Sequence, residues 1–132
     1  MVGDPTRSAE RELRLELPPS ADSVGEARRA VGDVASRLGV PDADVRLAVS
    51  EAVSNSVTHA FRGGESGTVT IVCLTQPDLL TITVADDGAG MRPSVESPGL
   101  GLGIPLITKL ASEVRFDSSE RGTTVSMSFR RR

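Results

Sequence analysis

Hydrophobic and polar positions change their period several times along the chain, and each change predicts an element. Glu12 to Leu17 (E-L-R-L-E-L) alternates charged and apolar residues, the period of a half-buried strand. Pro18, Pro19 and Ser20 break it. Val24, Ala27, Val31, Val34 and Leu38 then recur every three to four residues. That spacing predicts a helix that Ser20 or Asp22 can cap and that Gly39 ends in the position past the last turn that glycine favours. Pro41-Asp42 opens a second helix running to about Phe61, where Gly63-Gly64 stops it. Thr68 to Thr75 and Leu79 to Ala85 read as two strands of a hairpin joined around Gln76-Pro77-Asp78, the second alternating through Leu80, Ile82 and Val84. After a glycine-rich stretch from Asp86 to Gly103, Leu102 to Ala111 reads as a third helix. Val114 to Asp117 and Thr123 to Phe129 read as two more strands, turning near Glu120-Arg121-Gly122.

The predicted order is β-α-α-β-β-α-β-β. Helices come grouped and strands come in hairpins, so the expected class is α+β, a mostly antiparallel sheet with helices on one face. No internal repeat or linker divides the chain, and residues 1–132 are expected to form one domain with a flexible polar lead at residues 1–10.

Candidate chemistry begins on the second helix. Glu51, Asn55 and His59 are spaced by four. At about 100° per residue each step drifts only ~40°, so the three share one flank. The neighbouring arc, Val45, Val49, Ala52, Val53, Ser56 and Ala60, is mostly apolar and should face the sheet. A solvated helix edge explains such a stripe as readily as a site does. Asn is nonetheless a poor helix-interior residue. Its oxygen can join a magnesium shell, and a carboxylate one turn away can orient or deprotonate an attacking hydroxyl.

Two glycine clusters follow. Asp86-Asp87-Gly88-Ala89-Gly90-Met91 comes directly after a predicted strand. Gly88 and Gly90 permit close backbone approach to a flat ligand, and Asp86 at the strand end can accept a hydrogen bond from an exocyclic amine such as that of adenine. The bare pattern also makes plain turns. Gly99-Leu100-Gly101-Leu102-Gly103 leads straight into the third helix. Backbone N–H groups and a helix N-terminus there suit phosphate, although an entropic hinge has the same composition. Gly-Lys-Ser/Thr does not follow, so it is not a P-loop, and its setting is not that of a dinucleotide fingerprint.

Composition narrows the rest. Aromatic residues are 2% of the chain and Trp and Tyr are absent, so the core must be aliphatic. A net charge of −3 argues against a general nucleic-acid binder, whose footprint is a clustered basic face. The single cysteine, Cys73, lies in an apolar run and reads as a buried thiol. No stretch approaches a membrane span, and the first residues carry Asp4 and Glu10 with no apolar signal core, so a cytoplasmic location is expected.

Together these pieces resemble the Bergerat ATP-binding fold of gyrase-type topoisomerases, a heat-shock chaperone class, histidine kinases and a mismatch-repair protein. Ser50-Glu51-Ala52-Val53-Ser54-Asn55 is similar to the N box of that superfamily. Asp86-Asp87-Gly88-Ala89-Gly90 is similar to its first glycine box, Gly99 to Gly103 to its second, and Gly122-Thr123-Thr124 to its terminal Gly-Thr element. All four occur in order across roughly residues 11–130. Within the superfamily the chain most resembles the stand-alone anti-sigma factor serine kinases of bacteria, above all in the run S-E-A-V-S-N-S-V-T-H-A-F.

The resemblance implies ATP and Mg²⁺ as cofactors, with Asn55 as the magnesium ligand and Glu51 as general base for a partner's serine. It implies that Asp86 reads the adenine amino group, supported by Thr123 through water. Gly88, Gly90 and Met91 would border the adenine, and Gly101, Leu102 and Gly103 would hold phosphate. The implied partners are a sigma factor and an anti-anti-sigma protein of STAS type, without direct nucleic-acid or membrane contact. A homodimer is left open. Arg28 and Arg29 of the first helix could meet an acidic partner surface or simply be solvated. The implied lid, Met91 to Pro98, is short and offers only Arg92, Ser94 and Ser97 near a γ-phosphate. The expected function is therefore a serine kinase that also sequesters a sigma factor. The alternative is a nucleotide-dependent partner switch without kinase activity, and a detached histidine-kinase catalytic domain comes third.

Overall fold

The computed structural model describes residues 9–60, 67–88, 105–119 and 121–131. Their elements follow the predicted order. Strand β1 is Glu10–Leu17, helix α1 Ala21–Arg37 and helix α2 Asp42–Asn55, the last continued by a π-helical turn at Ser56–Ala60. Strands β2 (Val69–Thr75) and β3 (Leu79–Asp86) come next. Residues 105–110 are helical (α3). Strands β4 (Glu113–Ser119) and β5 (Gly122–Arg130) complete the order. The five strands form one sheet in the order β1-β2-β3-β5-β4, and every neighbouring pair is antiparallel. The expected α+β class holds.

Alternation decides which face is covered. Val69, Ile71 and Cys73 of β2, Leu80, Ile82 and Val84 of β3, and Val125, Met127 and Phe129 of β5 are buried on one face. They join Ala27, Val31, Val34 and Ala35 of α1, Val45, Ala48, Val49, Ala52 and Val53 of α2, and Ile107 of α3 in one aliphatic core. Most intervening residues stay part-exposed on the other face, where hydroxyls pair across strands, Thr81 with the buried Ser128 at 3.0 Å and Thr83 with Ser126 at 3.3 Å. Cys73 is fully buried, and burial, with a smaller push from the Glu12 charge, lifts its thiol to about 12. That thiol is a packing residue and no nucleophile.

The boundaries differ from the expected ones for local reasons. β1 starts at Glu10 and not at Glu12, so the last residue of the expected flexible lead is already in the sheet. A bulge between Arg11 and Leu13 breaks the alternation there, and the Glu12 carboxylate accepts a hydrogen bond from Arg37 of α1 at 3.0 Å. Ser20 occupies the cap position of α1 but makes no capping bond with its side chain. Ser23 Oγ instead donates to the Pro18 carbonyl at 2.6 Å, which turns the chain. Gly39 ends α1 with φ of 73°, as expected. The α-helical part of the second helix stops at Asn55, short of the expected Phe61, which lies outside the described residues. Both β4 and β5 run beyond their apolar stretches, because the ladder bonds of their polar ends carry no periodicity signal.

Helices α1 and α2 lie side by side. Arg46 of α2 bridges Asp42 at 3.2 Å and Asp33 of α1 at 3.8 Å. Its side chain crosses α1 at Gly32, where a Cβ would collide with the guanidinium stem.

Candidate functional site

The site end of the sheet is set by register. Asp86 closes β3 and lies opposite Val69 of β2 and Thr123 of β5. Its Oδ1 accepts two backbone N–H groups, from Gly88 at 3.1 Å and from Thr123 at 3.3 Å. These two bonds hold the carboxylate plane. The neighbouring Asp87 ties the same strand ends together, its Oδ1 accepting from Thr68 N at 2.8 Å. Gly122 begins β5 with φ of 136°, and a Cβ there would run into the Asp86 carbonyl oxygen. Only glycine lets β5 come this close. Thr123 is buried, and its hydroxyl lies 3.1 Å from that of Ser118.

From the other side comes α2. Asn55 is its last α-helical residue, and Glu51 stands one turn earlier, partly exposed. At Ser56 the winding loosens to a π turn, and that turn packs against β3 and β5. A π turn at a helix end re-aims the side chains it carries and recurs at functional sites. The π turn that follows Asn55 thus lies against the strands that carry Asp86 and Thr123.

Among the described residues, two polar atoms here are buried without a hydrogen-bond partner: Asn55 Nδ2 and Asp86 Oδ2. Each residue is 8% exposed, so neither atom is left to bulk water. Buried polar groups are nearly always paired, and leaving one unpaired costs about 1–3 kcal/mol. An open carboxylate oxygen suits a ligand that supplies an N–H, and an open amide nitrogen suits one that supplies an acceptor. Burial pushes the Asp86 carboxyl above its ordinary range, and the charge of Asp87 adds a little. The hydroxyl of Ser56 and the N–H groups of Gly88 and Thr123 pull it back. No ion pair or hydrogen bond engages the Glu51 carboxylate among the described residues.

Of the residues expected in the site, Asp86, Gly88 and Thr123 are joined by hydrogen bonds, while Asn55 ends α2 just before the turn that packs against β3 and β5, with Glu51 one turn earlier. Gly90, Met91, Gly101, Leu102 and Gly103 lie outside the described residues, as does the side chain of His59. Ser56 was not among the expected site residues. It sits on the arc expected to face the sheet, and being only 1% exposed it does. Its signal in the sequence is a hydroxyl directly after Asn55 on an otherwise apolar arc.

Residues 17–129 match the histidine kinase-like ATPase domain family. The chain is 34% identical to a serine-protein kinase RsbW of Listeria monocytogenes over 68% of its own length and 59% of that protein's. An RsbW of Bacillus pumilus is 33% identical over 87% of this chain and 83% of that protein. An anti-sigma F factor of Clostridium novyi is 32% identical over 88% and 92%. The alignment with the Listeria relative thus spans less than two thirds of that protein. Among solved structures, the RsbU and RsbW domains of a Mycobacterium tuberculosis protein superpose with a TM-score of 0.69, at 19% identity, over 91% of this chain and 33% of that one. A blue-light activated histidine kinase domain of Erythrobacter litoralis superposes with a TM-score of 0.57, at 22% identity, over 86% and 61%. With the family match spanning all but the edges of the described fold, the chain belongs to the histidine kinase-like ATPase domains, in the branch of the anti-sigma factor serine kinases.

Proposed function

We propose that this chain is an ATP-dependent protein serine kinase that phosphorylates an anti-anti-sigma partner of STAS type and sequesters a sigma factor. The observation that carries the nucleotide part is the buried, unpartnered Asp86 Oδ2, held in place by two backbone N–H groups. An acceptor so placed fits the exocyclic amine of adenine. Gly88 lets the base lie close to the backbone, and Thr123 supports Asp86 from β5. Gly90 and Met91, with Gly101, Leu102 and Gly103, complete the nucleotide site in this reading.

Mg²⁺ would arrive with the phosphates. Among the described residues no group of three or more His, Cys, Asp or Glu could hold a metal ion alone. A single carboxamide fits an ion that keeps several waters and takes its remaining oxygens from substrate, and Asn55 offers one. The bound ion supplies charge neutralisation for the transferred phosphoryl group. Glu51 would accept the proton of the attacking serine hydroxyl, and its partial exposure is compatible with reach by a partner. Relatives named serine-protein kinase and anti-sigma F factor support the reaction class and the partners. No helix among the described residues is long and apolar enough to cross a membrane, which is compatible with work in the cytoplasm.

Incubation with Mg-ATP labelled in the γ-phosphate and a STAS-domain protein tests the reading. Label is expected on a serine of the partner, and Glu51→Ala should reduce its rate by at least a hundredfold while ATP still binds. No transfer to any STAS-type partner would overturn kinase activity. The second reading, a nucleotide-dependent switch without phosphoryl transfer, is favoured by the segment from Met91 to Pro98, whose only basic or hydroxyl residues are Arg92, Ser94 and Ser97. It predicts that ATP and ADP alter partner affinity equally in Glu51→Gln and wild type.

A further inference from the structure

A single exposed leucine is ordinary on a protein surface, and exposure alone assigns it nothing. Leu47 is set apart by where it stands. It is 44% exposed, the one large apolar side chain so open among the described residues. It lies on α2 four residues before Glu51, so the two are about 6 Å apart along the axis and only ~40° apart around it. The core face of α2 is complete without it, because Val45, Ala48, Val49, Ala52 and Val53 are fully buried.

The surface around Leu47 is low and poor in free hydrogen-bonding groups. Ala43, one turn earlier, is exposed, and Ser50 and Ser54 are part-exposed. Ser50 Oγ donates to the Arg46 carbonyl at 2.7 Å, so that hydroxyl is spent on its own helix. Arg46, the only cation of α2, is engaged with Asp42 and with Asp33 of α1. Leu47, Glu51 and Asn55 therefore follow one another at intervals of four, with the proposed base in the middle.

That order divides the space above the helix. Phosphates and their ion are proposed on the Asn55 side of Glu51, which leaves the Leu47 side for the acceptor. The serine oxygen must come within about 2.6–3.2 Å of the Glu51 carboxylate. The chain that carries it continues over the neighbouring turn. Two residues of extended chain span ~6.6 Å and point the same way, and one helical turn spans ~5.4 Å. In either conformation a residue close to the serine lies over Leu47.

We infer that Leu47 is the docking residue for the acceptor protein, seating an apolar side chain that flanks the target serine by two positions in extended chain or by one turn in a helix. It touches no reacting atom and acts by holding the serine over Glu51. The inference rests on the reading of the chain as a protein serine kinase with Glu51 as its base.

Steady-state transfer of labelled γ-phosphate from Mg-ATP to a STAS-domain protein, with the acceptor concentration varied, tests it. Leu47→Asp should raise the KM for the acceptor about tenfold, and Leu47→Ala by a smaller factor. The kcat at saturating acceptor should change by less than about twofold. Leu47→Met, which keeps an apolar side chain of similar size, should keep the wild-type KM. ATP affinity by calorimetry and melting temperature should stay at wild-type values in all three, because Leu47 contributes to neither the core nor the nucleotide site. Truncating the flanking apolar residue of the acceptor to Ala should raise the KM of wild type and leave that of Leu47→Ala unchanged. An unchanged KM in Leu47→Asp, a fall in kcat alone, or an equal loss of ATP affinity overturns the inference while the kinase reading stands. A wild-type protein that transfers no phosphate to any STAS-domain protein overturns the kinase reading and the inference with it.

Discussion

At the scale of single residues, the site is a balance between Asp86 and what surrounds it. Burial raises its carboxyl above the ordinary value, so the folded state binds that proton more tightly than the unfolded chain does. Stability from this group is therefore fully present below the ordinary carboxylate range and is lost as pH rises through the raised folded-state value, where the charge forms in a desolvated place. Asp86→Asn removes the charge, still offers Oδ1 to Gly88 and Thr123, and puts an NH₂ where Oδ2 stood. The expected outcome at pH 7 is a melting temperature equal to or above that of wild type, with ATP affinity at least tenfold lower. Calorimetry and thermal melts read the two effects separately, and a variant that binds ATP like wild type contradicts the assigned role. The chemical character of Asp86, Asn55 and Glu51 was legible from residue type and spacing. That Oδ1 is spent on backbone donors while Oδ2 stays open was not, since it depends on β5 reaching β3 at Thr123.

At the scale of elements, Gly122 shows how a strand start serves the site. Its φ of 136° is costly for any residue with a Cβ, and that atom would also meet the Asp86 carbonyl. Gly122→Ala should cost more than about 2 kcal/mol in chemical denaturation and weaken ATP binding as well. Unchanged stability would mean that β5 can withdraw from β3 without loss. The helices and most strands were readable from periodicity, because one face of each is aliphatic and the other polar. What escaped was the π turn after Asn55 and the bulge at Glu12. Both change the backbone over only a few residues, too short a run for a period to register, and both lie against another element.

At the scale of the whole molecule, the proposed site draws on two layers of one core. α2 carries Glu51 and Asn55, and the sheet carries Asp86 and Thr123, with Gly88 just beyond it. A ligand that joins them should stabilise the entire fold. Mg-ATP at a hundredfold excess over its dissociation constant should add about 2.7 kcal/mol, a rise in melting temperature of roughly 10 °C for a domain of this size. Asn55→Ala should lose most of that rise, measured by scanning calorimetry with and without Mg²⁺. An equal rise in the variant would remove Asn55 from the ion's shell.

Local chemistry along the chain was enough to determine the element order, the aliphatic core and the kinds of group available for a nucleotide, because hydrophobic period, glycine placement and residue type are properties of short segments. Tertiary structure alone decided which of those groups meet, since strand register and helix winding depend on residues far apart in sequence. It is β5 against β3 that spends one oxygen of Asp86 on a backbone donor from another strand.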